Sequence, residues 1–163
     1  MLQRSTKKNH VKTPTELYFE QVILANEALS EYRWRLQKAD QRAYGLSSPS
    51  GMANTKVQVS ADQEAAFTRK LEKKDDLARQ LSARIRLLES LIRQASGLID
   101  QYTSGQEKKI LQLRYLKGYE WLQVSNEVRR ITPKQLRNIA RKGLAKIVLP
   151  EDAIWIEQYG KVA

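Results

Sequence analysis

Cysteine is absent from this sequence of 163 residues, and proline (four), glycine (seven) and histidine (one) are scarce. The lack of cysteine excludes disulfide bonds and cysteine-ligated metal, and it fits a reducing compartment. Few prolines and glycines beside many charged residues favour helices over sheets. No apolar run approaches the roughly 20 residues of a membrane-spanning helix, so we expect no membrane partner. The start, MLQRSTKKNHVK, lacks the apolar core of a signal peptide, which predicts a cytoplasmic protein.

The net charge of +11 is unevenly distributed along the chain. Residues 106–147 hold eleven Lys or Arg against three Glu, a net +8, and residues 1–13 form a basic, flexible arm of net +4. Residues 14–44 carry a net −1 and residues 61–105 a net +1. High charge also serves solubility, but solubility does not require this concentration. The pattern therefore predicts a polyanionic partner.

Residues 14–44 are predicted to form a first heptad helix. Thr13 suits the N-cap, Pro14 the first helical position and Glu16 the positive end of the helix. Apolar residues recur at alternating steps of four and three, as in a coiled-coil seam. They are Tyr18, Val22, Ala25, Leu29, Tyr32, Leu36, Ala39 and Ala43.

A flexible linker, residues 45–60, separates this helix from a long central heptad helix at 61–105. Ser60 and Gln63 suit a capping box at its start, and Thr103-Ser104-Gly105 should end it. Lys74 is the one polar break in its seam, which consists of Phe67, Leu71, Lys74, Ala78, Leu81, Ile85, Leu88, Ile92, Ala95, Ile99 and Tyr102. Two such helices most simply form an antiparallel hairpin, but a homodimer through the heptad helices remains equally open. The second helix is longer, so part of its stripe needs another partner.

Neither heptad helix carries a pattern typical of catalysis. Glycine-rich phosphate loops and paired nucleophiles and bases are missing, and the single His10 lies in the basic arm, where a solvated side chain is the ordinary interpretation. We therefore predict no catalytic residue, no metal site and no cofactor, and a protein that is not an enzyme.

Residues 106–147 divide into three short helices, predicted at 106–116, 120–129 and 132–147. Gly118 should end the first helix, and Arg129-Arg130 should form a tight turn after the second. Thr132 and Pro133 repeat the start signal seen at Thr13 and Pro14. Two helices joined by a tight turn, the second of them basic, are typical of a helix-turn-helix.

The third helix is amphipathic, with a basic and amide-bearing outer face. Leu136, Ala140, Leu144 and Ile147 form its buried stripe, and Gly143 beside them suggests close helix packing. We predict that Lys134, Gln135, Arg137, Asn138 and Arg141 face bases or nearby phosphates of double-stranded DNA, and that Lys142, Lys146, Arg129 and Arg130 hold its backbone. A solvated basic face would show the same periodicity. The helix cap, the short turn and the lack of acids favour DNA.

The stretch from Glu107 to Ile147 resembles the region-four helix-turn-helix of bacterial sigma factors. The residues that carry this resemblance are Ile110-Leu111, Leu113-Arg114-Tyr115, Gly118, Trp121, Val124, Val128, Thr132, Leu136 and Gly143-Leu144. Over residues 15–147 the chain resembles small phage and prophage proteins of Gram-positive bacteria with an "LRY-x-x-G-x-x-W" domain. These are related to late-operon regulators of the ArpU/RinA type.

The resemblance implies an all-α fold: a long helical hairpin or coiled-coil segment, then a three-helix sigma-region-four-like domain. It implies a sequence-specific transcriptional regulator in the cytoplasm of a bacterial host, with RNA polymerase as a further partner. Two departures stand out: Arg129-Arg130 makes the turn one residue longer, and Ser125 replaces a small apolar residue. The sigma regions that open promoter DNA are absent.

Two other functions fit the same patterns. A small terminase subunit for DNA packaging also joins a helix-turn-helix to helical oligomerisation segments, and would form a ring. A sigma-like interaction module would bind polymerase without reading DNA. Residues 148–163 form a tail whose apolar group, Ile154, Trp155, Ile156 and Tyr159, is expected to pack back on the domain or the long helix; a docking peptide is the alternative.

Overall fold

The computed structural model describes residues 10–45 and 60–156 of the chain. The predicted arm up to residue 9, most of the predicted linker and Tyr159 of the tail lie outside the described residues, as does the side chain of Ala43. The described residues form five α-helices and no strand, which confirms the all-α prediction. The helices are α1 (Pro14–Gly45), α2 (Ala61–Tyr102), α3 (Gly105–Leu111), α4 (Trp121–Glu127) and α5 (Pro133–Lys146).

Short polar motifs begin helices α1 and α2 at the predicted residues. Before α1, the Thr13 hydroxyl accepts from the Glu16 amide (3.2 Å), and the Glu16 carboxylate accepts from the Thr13 amide (3.2 Å). Ser60 and Gln63 form the same reciprocal pair before α2. Each box satisfies backbone N–H groups that have no partner inside the helix. The capping signals in the sequence therefore located these helix starts correctly.

The contacts between residues divide the chain into two compact units. Among the described residues, one unit consists of residues 10–24 and 91–156, and the other consists of residues 25–45 and 60–90. We call them the terminal unit and the middle unit.

The middle unit holds the later part of α1 and the earlier part of α2. The seam is buried at Ala25 and Leu29 of α1 and at Leu81, Ile85 and Leu88 of α2. Arg33 and Glu89 join the two helices by an ion pair of 2.8 Å. Residues 61–73 at the start of α2 are exposed throughout, although the heptad pattern runs through them.

The terminal unit contains the main core. Tyr18, Phe19 and Val22 of α1 are buried there, as are Leu91, Ala95 and Ile99 of α2, and Ile110 and Leu111 of α3. Two edge-on ring contacts run through this core: Tyr18 with Phe19 (5.2 Å between ring centroids) and Phe19 with Tyr115 (5.5 Å). Such pairs add to the burial of the rings themselves.

In place of the single helix predicted at 106–116, the structure has two consecutive helical elements. Helix α3 ends at Leu111, and residues Gln112–Leu116 continue as a π-helical segment. The Lys117 amide donates to the Gln112 carbonyl, five residues back, at 3.0 Å. Gly118 ends the segment with a φ of +72°, a conformation that glycine adopts without steric cost. Short π segments inside α-helices are frequent at functional sites. Neither composition nor periodicity of the sequence indicates them.

Two glutamines hold the C-terminal tail against the helices. Gln21 of α1 is 0% exposed; its amide nitrogen donates to the Ile154 carbonyl (2.7 Å), and its amide oxygen accepts from the Ile156 amide (3.1 Å). Gln94 of α2 accepts from the Ile154 amide (2.9 Å) and from the Tyr18 hydroxyl (2.8 Å). It also donates to the Asp152 carbonyl at 3.2 Å. We call this set of bonds the tail clamp.

The apolar residues of the tail complete the contact. Ile156 is buried, and the Trp155 ring lies edge-on to the Tyr18 ring at 5.7 Å, with 36% of the residue exposed. The prediction that the tail packs back is confirmed for residues 152–156. Burial of the Tyr18 hydroxyl raises its pKa above the ordinary range, and the nearby Asp152 carboxylate raises it further.

Candidate nucleic-acid interface

Helices α4 and α5 and the turn between them form a helix-turn-helix unit that packs on α3. Val124 and Val128 are buried on the α4 side, and Leu136, Ala140 and Leu144 are buried on the α5 side. The predicted buried stripe of the third helix is therefore confirmed, including Ile147, which caps α5. The burial of this stripe leaves the remaining faces of α5 exposed.

At Gly143, helix α5 lies close against α3. A Cβ atom built on Gly143 would lie 2.9 Å from Leu111 Cδ1 and 2.9 Å from Glu107 Cγ. These distances are below ordinary carbon–carbon contact, so only glycine fits without displacement. The close packing predicted from the sequence is confirmed here.

The residues of the LRY-x-x-G-x-x-W pattern fix the entry to α4. Arg114 donates to the Tyr119 carbonyl at 2.8 Å, and its guanidinium lies over the Trp121 ring, 5.1 Å from the centroid. Leu113 and Tyr115 point into the core. The pattern thus has a structural explanation: it holds the loop around Gly118 against α4.

The turn from Val128 to Thr132 ends α4 two residues earlier than predicted. Val128 leaves helical geometry, and Arg130 adopts a φ of +75°, which non-glycine residues rarely do. The Ser125 hydroxyl donates to the Ile131 carbonyl at 2.7 Å and closes the turn. The two sequence departures, Ser125 and Arg129-Arg130, therefore act together in one turn.

Replacing Arg130 with glycine is expected to stabilise the fold by about 1 kcal/mol, because the left-handed conformation costs a side chain that much or more. Arg129→Gly is the matched control, since Arg129 is equally exposed but has no positive φ. It should lower stability slightly. Urea unfolding of the three proteins measures both effects, and equal losses from the two variants would show that no strain resides at Arg130.

The N-terminal cap of α5 engages one of the predicted base-contacting residues. The Thr132 hydroxyl accepts from the Gln135 amide (3.3 Å), and the Gln135 side-chain oxygen accepts from the Thr132 amide (3.1 Å). A bidentate contact with adenine needs both the oxygen and the nitrogen of an amide side chain. While the box is closed, Gln135 can offer an outside partner only its NH₂ group.

The outward face of α5 is formed by Lys134, Asn138 and Lys142, four residues apart, with Ala145 beside them. All four are exposed. At about 100° per residue they share one side of the helix, opposite the buried stripe. Asn138 lies between two lysines, so an amide able to read a base is flanked by two cations able to hold phosphates.

Arg137 and Arg141 lie on one flank of α5 and line a cleft of about 200 Å³. Its other lining residues are His10, Lys12, Glu16, Glu20, Tyr115, Trp121, Ala140 and Leu144. Lys12 Nζ lies 2.6 Å from Glu20 Oε1, and His10 Nε2 lies 3.1 Å from Glu16 Oε1. His10, predicted to be solvated, is therefore about half exposed and paired with a carboxylate. No pattern in the sequence indicates that the start of α1 lies beside α5.

The cleft combines both signs of charge around Tyr115. Burial raises the pKa of Tyr115 to about 12; Arg114 and Arg141 oppose this rise, whereas Glu20 and Glu16 add to it. The two glutamates place negative charge beside two of the predicted DNA contacts. The ion pair between Lys12 and Glu20 offsets part of that charge.

Lys146 lies on the opposite flank and pairs with Glu107 of α3. Its Nζ atom is 3.0 Å and 3.1 Å from the two carboxylate oxygens. Arg129 and Arg130 in the turn are exposed. The nine predicted contact residues therefore fall into five places: the outward face, the N-terminal cap with Gln135, the cleft flank, the α3 flank and the turn.

Among the described residues, no cluster of His, Asp and Glu is arranged to hold a metal ion. None of the described helices is long and apolar enough to cross a membrane. Comparison with protein-family models, with curated proteins and with solved structures finds no match to this chain.

Proposed function

We propose that the chain binds double-stranded DNA through α5 and acts as a sequence-specific transcriptional regulator. The observation that carries the proposal is the outward face of α5: Lys134, Asn138 and Lys142 in one exposed line, on a helix without acidic residues. The regulatory role and RNA polymerase as a further partner rest on the resemblance to sigma region four.

The local geometry supports entry into the major groove. Helix α5 follows a short turn and packs by its apolar face on α3 and α4. Its basic face is exposed to the solvent along the length of the helix. The major groove, about 12 Å wide, accepts such a helix. Ala145 has a small side chain at the end of the outward face, which lets the helix approach the bases closely.

In this proposal, different side chains contact the bases and the phosphates. Asn138 is suited to bidentate reading of adenine. Lys134 and Lys142 beside it, with Arg129 and Arg130 in the turn, carry the charge that phosphates attract. Arg137 and Arg141 contribute from the cleft flank, where Glu16 and Glu20 moderate their charge. Lys146 shares its charge with Glu107.

The test distinguishes sequence-specific contacts with bases from electrostatic contacts with phosphates. DNA fragments selected from a randomised pool first give the preferred sequence. Asn138→Ala should then lower affinity for that sequence about tenfold or more and leave random DNA unchanged, because a good base contact contributes about 1–3 kcal/mol. Its salt dependence should be unaltered, since no charge is removed.

Lys142→Ala should have the reverse pattern. It should weaken binding to preferred and random DNA alike and lower the slope of log K against log salt by about one. Lys73→Ala, on an exposed part of the middle unit, removes the same charge and serves as the control with no effect. A pool that yields no preferred sequence, with binding that disappears at moderate salt, would contradict specific recognition.

A further inference from the structure

An apolar stripe at the start of α2 is exposed within the middle unit. Phe67 is 55% exposed, Leu71 is 41% exposed and Leu77 is 49% exposed. These three large side chains lie within three turns of one helix. Single exposed apolar residues are ordinary, but several large ones close together along one helix are typical of an interaction surface. We call the line of Phe67, Leu71, Lys74 and Ala78, with Leu77 beside it, the α2 stripe.

The stripe continues a seam that is buried further along the same helix. Phe67, Leu71, Lys74 and Ala78 alternate by steps of four and three, and the next members, Leu81 and Ile85, are buried. A seam with this 3.5-residue period fits the a and d positions of a coiled coil. The exposed part of the seam therefore has the residue pattern of a helix that packs against another heptad helix.

Charges of opposite sign flank the stripe. Lys70 occupies heptad position g on one edge, and Asp75 occupies position e on the other; both are exposed. In a parallel, in-register pair of helices, position g faces position e of the following heptad in the partner. Lys70 would then meet Asp75 of the partner subunit, and symmetry would form this pair twice. In an antiparallel pair g faces g and e faces e, so Lys70 and Asp75 would not meet.

We propose that the α2 stripe pairs with the α2 stripe of a second copy of this chain, in parallel and in register. The proposal rests on the apolar heptad line and the complementary edges, and it does not depend on DNA binding. Lys74 stands at a central d position, where it opposes Lys74 of the partner subunit. A polar residue there weakens association while selecting one register.

The test is a charge exchange, read by sedimentation equilibrium of the full chain over a range of concentrations. Lys70→Glu should weaken self-association roughly tenfold, because two attractive pairs become two repulsive ones. Asp75→Lys should do the same. The double variant restores both pairs with their signs exchanged, and it should associate about as well as the original protein. Lys74→Leu should tighten association, and circular dichroism checks that each variant retains its helices.

Because the chain contains no cysteine, a single introduced cysteine can report whether the two α2 helices are parallel or antiparallel. Leu71→Cys should oxidise to a disulfide-linked dimer, because equivalent a positions face each other in a parallel pair. Ala83→Cys, on an exposed face of the same helix, is the matched control and should not cross-link efficiently. Monomers at every concentration would overturn the proposal, as would a double variant that does not recover. An antiparallel dimer would also overturn it, and that arrangement would leave Leu71→Cys unlinked.

Discussion

Replacing Gly143 with leucine is expected to lower the free energy of unfolding by about 3 kcal/mol. Leucine favours helices over glycine by most of 1 kcal/mol, so any loss must come from crowding. The new side chain would have to enter the space filled by Leu111 and by the Glu107 stem, both within 3 Å of the first added atom. Overpacking of this kind typically costs about 1–3 kcal/mol, and leucine adds three atoms beyond Cβ.

Gly97 provides the matched control, because it is also a helical glycine and a Cβ there would meet nothing within 4 Å. Gly97→Leu should be neutral or stabilising, whereas Gly143→Ala should lie between the original protein and Gly143→Leu. Chemical denaturation of the original protein and the three variants gives the comparison. If Gly143→Leu were as stable as Gly97→Leu, α5 would not be held closely against α3.

Replacing Gln21 with alanine is expected to cost about 3 kcal/mol, the second large effect. The substitution leaves the Ile154 carbonyl and the Ile156 amide without their partners, and each buried polar group left unsatisfied costs about 1–3 kcal/mol. Gln80→Ala on the exposed surface of α2 removes the same atoms and should change stability by less than about 0.5 kcal/mol.

A truncated chain distinguishes the tail clamp from other roles of Gln21. When residues 152–163 are removed, Gln21 no longer has those backbone partners, so Gln21→Ala should cost much less there than in the full chain. This difference is the coupling energy between Gln21 and the tail. An equal cost in both backgrounds would mean that Gln21 acts through something other than the tail.

Local signals in the sequence predicted the helices well. The Thr-Pro and Ser starts and the glycine at position 118 depend on neighbouring residues, and each was found where the sequence placed it. The heptad seam of α2 is buried at Leu81, Ile85 and Leu88 and exposed over residues 61–73. The close approach at Gly143 was also predicted, because a glycine inside a helix costs propensity and so needs a reason.

The features that the sequence did not predict depend on residues far apart in the chain. In the sequence, Gln21 and Gln94 are ordinary polar residues of two helices. Their hydrogen-bond partners at residues 152–156 lie far along the chain, and no periodicity indicates that contact. Glu16 and Glu20 fit a helix start equally well without α5 beside them. The predicted contact residues were all placed on one helix and its turn, yet their surroundings differ: Lys146 is paired, Gln135 closes a cap, and Asn138 is exposed. Nor did the sequence predict the π-helical segment.

The π-helical segment at Gln112–Leu116 has a consequence for how this chain tolerates changes in length. Its bonds reach back five residues instead of four, so it accommodates one residue more than an α-helix would over the same turn. Removing one residue between Ile110 and Tyr115 would therefore convert the segment into an ordinary α-helical turn and keep the later side chains close to their present positions. A further inserted residue would instead rotate every later side chain by about 100° around the helix axis. Evolution can thus shorten this connection more readily than it can lengthen it.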